Sequence, residues 1–159
     1  MENSGEHIER RSGEAVASPR ARLLGRWDLT VDEKGRLSVS TSMRRLLGDT
    51  VVLYYSLTRN CLEIIPVETF YALMDDLYAQ GGREAITCIS GSSSEASFDG
   101  HGRLLLPASL REPLCKSGNV VVTGDFDRLC VWTPESWANY NRKTMSEGSN
   151  ANVLAKLAL

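Results

Sequence analysis

Apolar residues alternate with polar ones at Trp27, Leu29 and Val31 and again at Leu37 and Val39, the period of half-buried β-strands, so two strands are expected around the polar stretch 32–36. Ser40 or Thr41 then stands as an N-cap ahead of Met43, Leu46 and Leu47, with Gly48 as the stop, which predicts a short helix. Two denser apolar runs, Val51 to Leu57 and Cys61 to Ile65, flank Thr58-Arg59-Asn60 and predict a hairpin. Phe70, Leu73, Met74 and Leu77 recur at i, i+3, i+4 and i+7, one apolar stripe on a helix.

The same order then repeats. Ala96 and Phe98 precede Asp99, Leu104 to Leu106 follow Arg103, and Pro107 opens a helix through Leu110 and Leu114 that Pro113 should shorten. A second hairpin, Val120 to Thr123 and Leu129 to Trp132, turns at Asp125-Phe126-Asp127, and Pro134, Trp137 and Tyr140 begin a closing helix. Sliding residues 32–70 onto 99–137 gives nine identities in 39 positions, where chance gives roughly two or three. Among the nine are Asp32/Asp99, Gly35/Gly102, Arg36/Arg103, Leu37/Leu104 and Arg44/Arg111. The chain is an internal duplication, and repeats of this size are too small to bury a core singly, so the two share one.

Five segments follow: a flexible tail over 1–22, a first repeat over 23–79, a connection over 80–93, a second repeat over 94–141 and a C-terminal tail over 142–159. Gly91-Ser92-Ser93-Ser94 reads as the loop end of the connection, whose residues 84–89 fit either helix or strand. Polar composition is what marks 1–22 as a tail; its Arg10, Arg11, Arg20 and Arg22 are better explained as solvated than as binding residues.

The most pointed chemistry is the repeated Asp-x-x-Gly-Arg. Gly35 and Gly102 sit where a tight connection needs positive φ, and each Asp is placed to fix the turn and orient the following Arg by charge-assisted hydrogen bonds. Residues 32–45 and 99–116 hold an excess of positive charge in a chain of net charge −2. Local positive charge of that kind attracts phosphate at close range. Arg36 and Arg103 are the leading candidates for binding phosphate, with Lys34, Gly35, His101 and Gly102 beside them; Arg44, Arg45 and Arg111 on the short helices come second. The glycine-turn amides and the Ser38 hydroxyl are placed to assist at phosphates.

No catalytic constellation is visible, and the two histidines, His7 and His101, belong to none. Asp32 and Asp99 are turn-organising residues, neither acid nor base catalysts. Cys61, Cys88, Cys115 and Cys130 form no CxxC pair and have no His at ligand spacing, so neither a metal site nor any other cofactor is expected. Cys61 and Cys130 read as small buried hydrophobes. No apolar run reaches membrane-spanning length and no signal peptide is apparent; a cytoplasmic protein without a small-molecule substrate is expected.

Strand, short helix, hairpin and helix, each time after Asp-x-x-Gly-Arg, together with Gly25-Arg26-Trp27, Leu104 to Arg111, Pro66 to Phe70 and Pro134 to Trp137, resemble the MraZ family over about residues 24–141. The resemblance implies a mainly β fold with short helices (α+β), a swapped-hairpin β-barrel made by two SpoVT/AbrB-like halves. It implies a nucleoid-associated transcriptional regulator, a repressor class, of the bacterial division and cell wall gene cluster. Such a protein binds double-stranded DNA with tandem short boxes through its turn arginines and closes into a ring homo-oligomer. Two departures stand out: His101 replaces the first copy's Lys34, a weaker basic contact, and Ser40 stands where Pro107 keeps the family's proline. The other reading is an AbrB-like oligomeric protein-interaction scaffold whose turn arginines are merely solvated.

Overall fold

Strand β1 (Arg26–Thr30) and strand β2 (Arg36–Ser38) flank the first Asp-x-x-Gly-Arg turn; α1 (Thr41–Leu47), β3 (Thr50–Ser56), β4 (Cys61–Pro66) and α2 (Val67–Ala79) complete the first half. After α3 (Arg83–Ser92) the second half runs β5 (Ser93–Ser97), β6 (Arg103–Leu105), α4 (Ala108–Arg111) with a 3₁₀ turn over Glu112–Leu114, β7 (Asn119–Asp125), β8 (Arg128–Trp132) and α5 (Pro134–Ser146). Helix α6 (Gly148–Lys156) follows. The computed structural model describes residues 22–114 and 117–157, so the tail arginines other than Arg22, together with Cys115, lie outside the described residues.

The local signals act as their chemistry requires. Ser40 caps α1 by accepting from the Met43 amide at 3.4 Å, and Thr133 caps α5 by accepting from Ser136 at 3.0 Å, with Pro134 in the first turn where its missing N–H costs nothing. Pro113 limits α4 to one turn. Two expectations give way. The serines after Gly91 form no loop: Ser92 and Ser93 hydroxyls donate to the Cys88 and Ile89 carbonyls at 2.8 and 2.6 Å, closing α3, and Ser93–Ser97 is already strand β5 on the edge of β3. The boundary drawn at 141 falls inside α5, which runs to Ser146, and the expected C-terminal tail carries α6.

The halves exchange strands. All ladders are antiparallel: β1 pairs with β7, β5 with β3, and β4 meets β8, giving an open sheet in the order β1-β7-β8-β4-β3-β5. Strands β2 and β6 form a separate two-stranded ribbon. Among the described residues these hydrogen bonds do not close into the barrel that the resemblance implied, although the exchange of hairpin strands is present. A pseudo-twofold relates the halves, and equivalent residues meet on it: Leu37 faces Leu104 in the ribbon and Glu63 faces Cys130 in the sheet.

Alternation along the strands then makes layers. Val51, Leu53, Leu62, Ile64, Val120, Val122, Leu129 and Val131 turn one face of the sheet toward Leu37 and Leu104 of the ribbon and toward Met43, Leu47, Leu110 and Leu114. The opposite face packs Val52 and Ile65 on Phe70 of α2, and Cys61, Val121, Cys130 and Trp132 on Trp137 and Tyr140 of α5. Leu37 and Leu104 are wholly buried, worth about 1.5–3 kcal/mol each as side chains removed from water.

Candidate nucleic-acid interface

Each Asp-x-x-Gly-Arg stretch folds into the same closed turn. In the first, the Asp32 carboxylate accepts from the Lys34 and Arg36 amides, both at 2.9 Å, and from Arg36 Nε at 2.7 Å. Main-chain bonds close the turn around it as well, Gly35 N–H to Asp32 O at 2.9 Å and Asp32 N–H to Arg36 O at 3.0 Å. In the second, Asp99 accepts from the His101 and Arg103 amides at 2.9 Å and from Arg103 Nε at 2.8 Å. These donors stabilise the charged carboxylate, the main-chain N–H of the arginine most of all: Asp32 is held below the ordinary range and Asp99 is brought down to about 2.

Because Nε is anchored, the guanidinium is aimed. Among the described residues neither Arg36 nor Arg103 makes any other side-chain hydrogen bond, so both terminal nitrogens of each remain for an external acceptor. Arg36 lies opposite Leu105 and Arg103 opposite Ser38 in the ribbon, so all four project on its outer face while Leu37 and Leu104 project inward. Strand geometry puts such diagonal partners roughly 7–8 Å apart. Lys34 and His101 stand exposed at the turn tips.

Gly35 and Gly102 have φ of +80° and +75°, a conformation that disfavours any side chain. A second reason for glycine comes from the opposite half. The Arg111 guanidinium lies where a Gly35 β-carbon would be, and a β-carbon on Gly102 would lie 2.7 Å from the Arg44 guanidinium carbon. Arg44 is fixed there by donating from Nε to Val39 O at 3.1 Å and from Nη2 to Thr41 Oγ1 at 3.1 Å. Main-chain bonds cross in the same sense, Val39 N–H to Gly102 O at 3.0 Å and Leu106 N–H to Gly35 O at 2.9 Å. Each turn is thus backed by the other half.

The structure therefore gathers Asp32, Lys34, Gly35, Arg36, Arg44, Asp99, His101, Gly102, Arg103 and Arg111 around one ribbon. Arg45 is not among them; exposed on the far side of α1, it lines a groove with Asp49, Glu68 and Asp76. The sequence offered Arg44 and Arg111 only as helix cations, because crossing contacts between repeats leave no mark on a linear pattern. The sequence likewise did not pick out a buried cluster on the other face of the sheet, Cys61, Glu63 and Cys130, whose ligand atoms lie within 4.8 Å of one another.

The profile of a family described as "MraZ protein, putative antitoxin-like" matches residues 89–158. A protein of Alkaliphilus metalliredigens named "Transcriptional regulator MraZ" is 28% identical over 143 residues, covering 86% of this chain and 99% of its own. The protein of that name in Desulfitobacterium hafniense strain DSM 10664 / DCB-2 is 31% identical over 126 residues, 76% of this chain and 87% of its own. This chain belongs to the MraZ family. A third MraZ regulator, from Heliobacterium modesticaldum, is also 31% identical over 126 residues, with the same shares covered. The relatives extend across both halves, whereas the MraZ profile matches only from the end of α3 onward. No helix among the described residues is long and apolar enough to cross a membrane.

Proposed function

We propose that this protein is a DNA-binding transcriptional regulator that holds double-stranded DNA against the outer face of the β2/β6 ribbon. The observation that carries this reading is the pair of arginines tied down at Nε with both terminal nitrogens presented outward. A guanidinium held in that way can meet guanine O6 and N7, or a phosphate, bidentately. Arg44 and Arg111, lying on the turn glycines, add positive charge and rigidity, and the Lys34, Gly35, His101 and Gly102 edges approach the backbone. Asp32 and Asp99 organise the turns and do no chemistry.

The finer reading follows from size and charge. A chain of 159 residues has a width of about 40 Å, close to the roughly 34–36 Å of one turn of B-DNA. Copies joined in a ring can then set successive ribbons on tandem boxes one helical turn apart, and linking weak contacts raises the apparent affinity of a net acidic chain. Control of division and cell wall genes, from the nucleoid, is the role that fits the family. The pure protein should shift a labelled duplex in a salt-dependent manner and scatter light as a species well above 17.5 kDa. Half a helical turn inserted between boxes should weaken binding sharply. A protein that ignores every duplex would favour the interaction-scaffold reading.

A further inference from the structure

On the sheet face turned away from the arginine turns, two thiols and two carboxylates come together beneath α5. Cys61 and Cys130 are wholly buried and Glu63 is 5% exposed; Glu63 and Cys130 are direct partners across the β4/β8 ladder. The two sulfurs and a Glu63 oxygen lie within 4.8 Å of one another, and Asp125 Oδ2 is 3.8 Å from the Cys130 sulfur. Donor atoms around tetrahedral zinc are about 3.3–3.8 Å apart, from bonds of about 2.3 Å to sulfur and 2.0–2.2 Å to oxygen. The cluster is therefore near ligand spacing already.

A cation already occupies the carboxylate side. Arg59 Nη1 sits between Glu63 Oε1 at 3.2 Å and Asp125 Oδ2 at 2.9 Å, while the guanidinium carbon lies 5.7 Å from the Trp132 ring and 5.5 Å from the Tyr140 ring. Among the described residues its buried Nε has no hydrogen-bond partner, an imperfect fit for a group meant only to fill this place. Arg59 belongs to the loop between β3 and β4, and its side chain is about a quarter exposed, so it can swing outward without unpacking the sheet. Glu63 would keep its 2.9 Å partner Arg128.

We propose that Cys61, Cys130, Glu63 and Asp125 form a buried site for Zn²⁺, with Arg59 as the internal cation that the metal displaces. Two thiolates and two carboxylates are a borderline-soft donor set suited to zinc. Binding replaces the two thiol protons, which pass to water, with one doubly charged ion, so the ligand set and its ion keep their combined charge. Ligands come from β4, β7 and β8, so the ion would tie the first hairpin to the second at the pseudo-twofold.

Reduced, metal-free full-length protein titrated with Co²⁺ should develop sulfur-to-cobalt charge-transfer and visible bands, saturate at one ion per chain, and lose the bands to Zn²⁺. Cys61→Ser and Cys130→Ser should each abolish the bands while circular dichroism stays native. Should either serine variant unfold, Arg59→Gln supplies the independent test, because removing the competing cation from a loop should tighten Co²⁺ binding about tenfold. Trp132 emission should fall on Co²⁺ binding. Wild type and Arg59→Gln that both remain colourless would overturn the proposal. So would bands of undiminished intensity in both serine variants, which would show that neither thiolate holds the ion.

Discussion

The two Asp-x-x-Gly-Arg turns share a backbone and an outward-facing arginine and differ at the other positions that face outward. Asp32 and Asp99 accept the same three bonds at nearly the same distances, and Leu37 and Leu104 are buried to the same degree. Yet Lys34 is matched by His101, Ser38 by Leu105, and the capping Ser40 by Pro107. Residues that close the turn or fill the ribbon's underside are under the same steric and hydrogen-bonding demands in both copies. Those at the tips answer only to what lies outside. A dimer of identical chains could not dress its two sides differently; a duplicated chain can, and this one carries Glu33 and Lys34 at the first tip against Gly100 and His101 at the second.

The largest expected effect tests the shared part. Leu37→Ala and Leu104→Ala should each cost about 2–5 kcal/mol in urea unfolding, because each leaves a cavity at the same place on the pseudo-twofold. Costs differing by more than about 1 kcal/mol would break the equivalence of the halves. Next come Arg36→Ala and Arg103→Ala, each expected to weaken DNA binding by about 1–3 kcal/mol in anisotropy titrations, with the double variant losing specific binding. Wild-type affinity in the double variant would remove the ribbon from the interface.

A subtler effect sharpens the crossing of the halves. Arg44→Ala should shift the amide resonances of the second turn, near Gly102, more than those of its own half, and Arg111→Ala should do the reverse near Gly35. His101→Lys should put a lysine at both tips, steepening the salt dependence of DNA binding by up to about 0.9 in log–log slope if that tip meets a phosphate. Smallest is the acid response. Both carboxyls are held low, so the stability they lend is complete above the ordinary carboxylate range and is lost as pH falls through the folded value, about 2 for Asp99. The Arg103 amide resonance, donated to Asp99, should hold steady from pH 7 to about 4 and move only below that.

Much of this arrangement was legible because both turns obey local rules: Asp, Gly and Arg at fixed spacing dictate the hydrogen bonds whatever surrounds them. Helix ends were legible at Ser40, Pro113 and Pro134 for the same reason. Strand β5 was faint, since Ser-Ser-Glu-Ala-Ser has almost no apolar face and holds its place through main-chain pairing with β3. The crossing of Arg44 and Arg111, and the meeting of Cys61 with Cys130, depend on which strand lies beside which. Spacing along the chain argued against a metal site, and only the β4/β8 register brings those sulfurs together.

Exchange of strands also dictates an order of events on the ribosome. Thr30 pairs with Asn119, so β1 must wait for roughly 90 more residues, on the order of 5–20 seconds at ordinary rates of synthesis, before its partner strand exists. Strand β5, by contrast, emerges when β3 is already available. A nascent strand left open for that long invites pairing with a neighbouring chain. Arg26 and Asp28, exposed in β1 and linked at 3.3 Å, put charge on that strand during the delay. Replacing both with valine would be expected to leave the finished fold in place and to send newly made chains into aggregates.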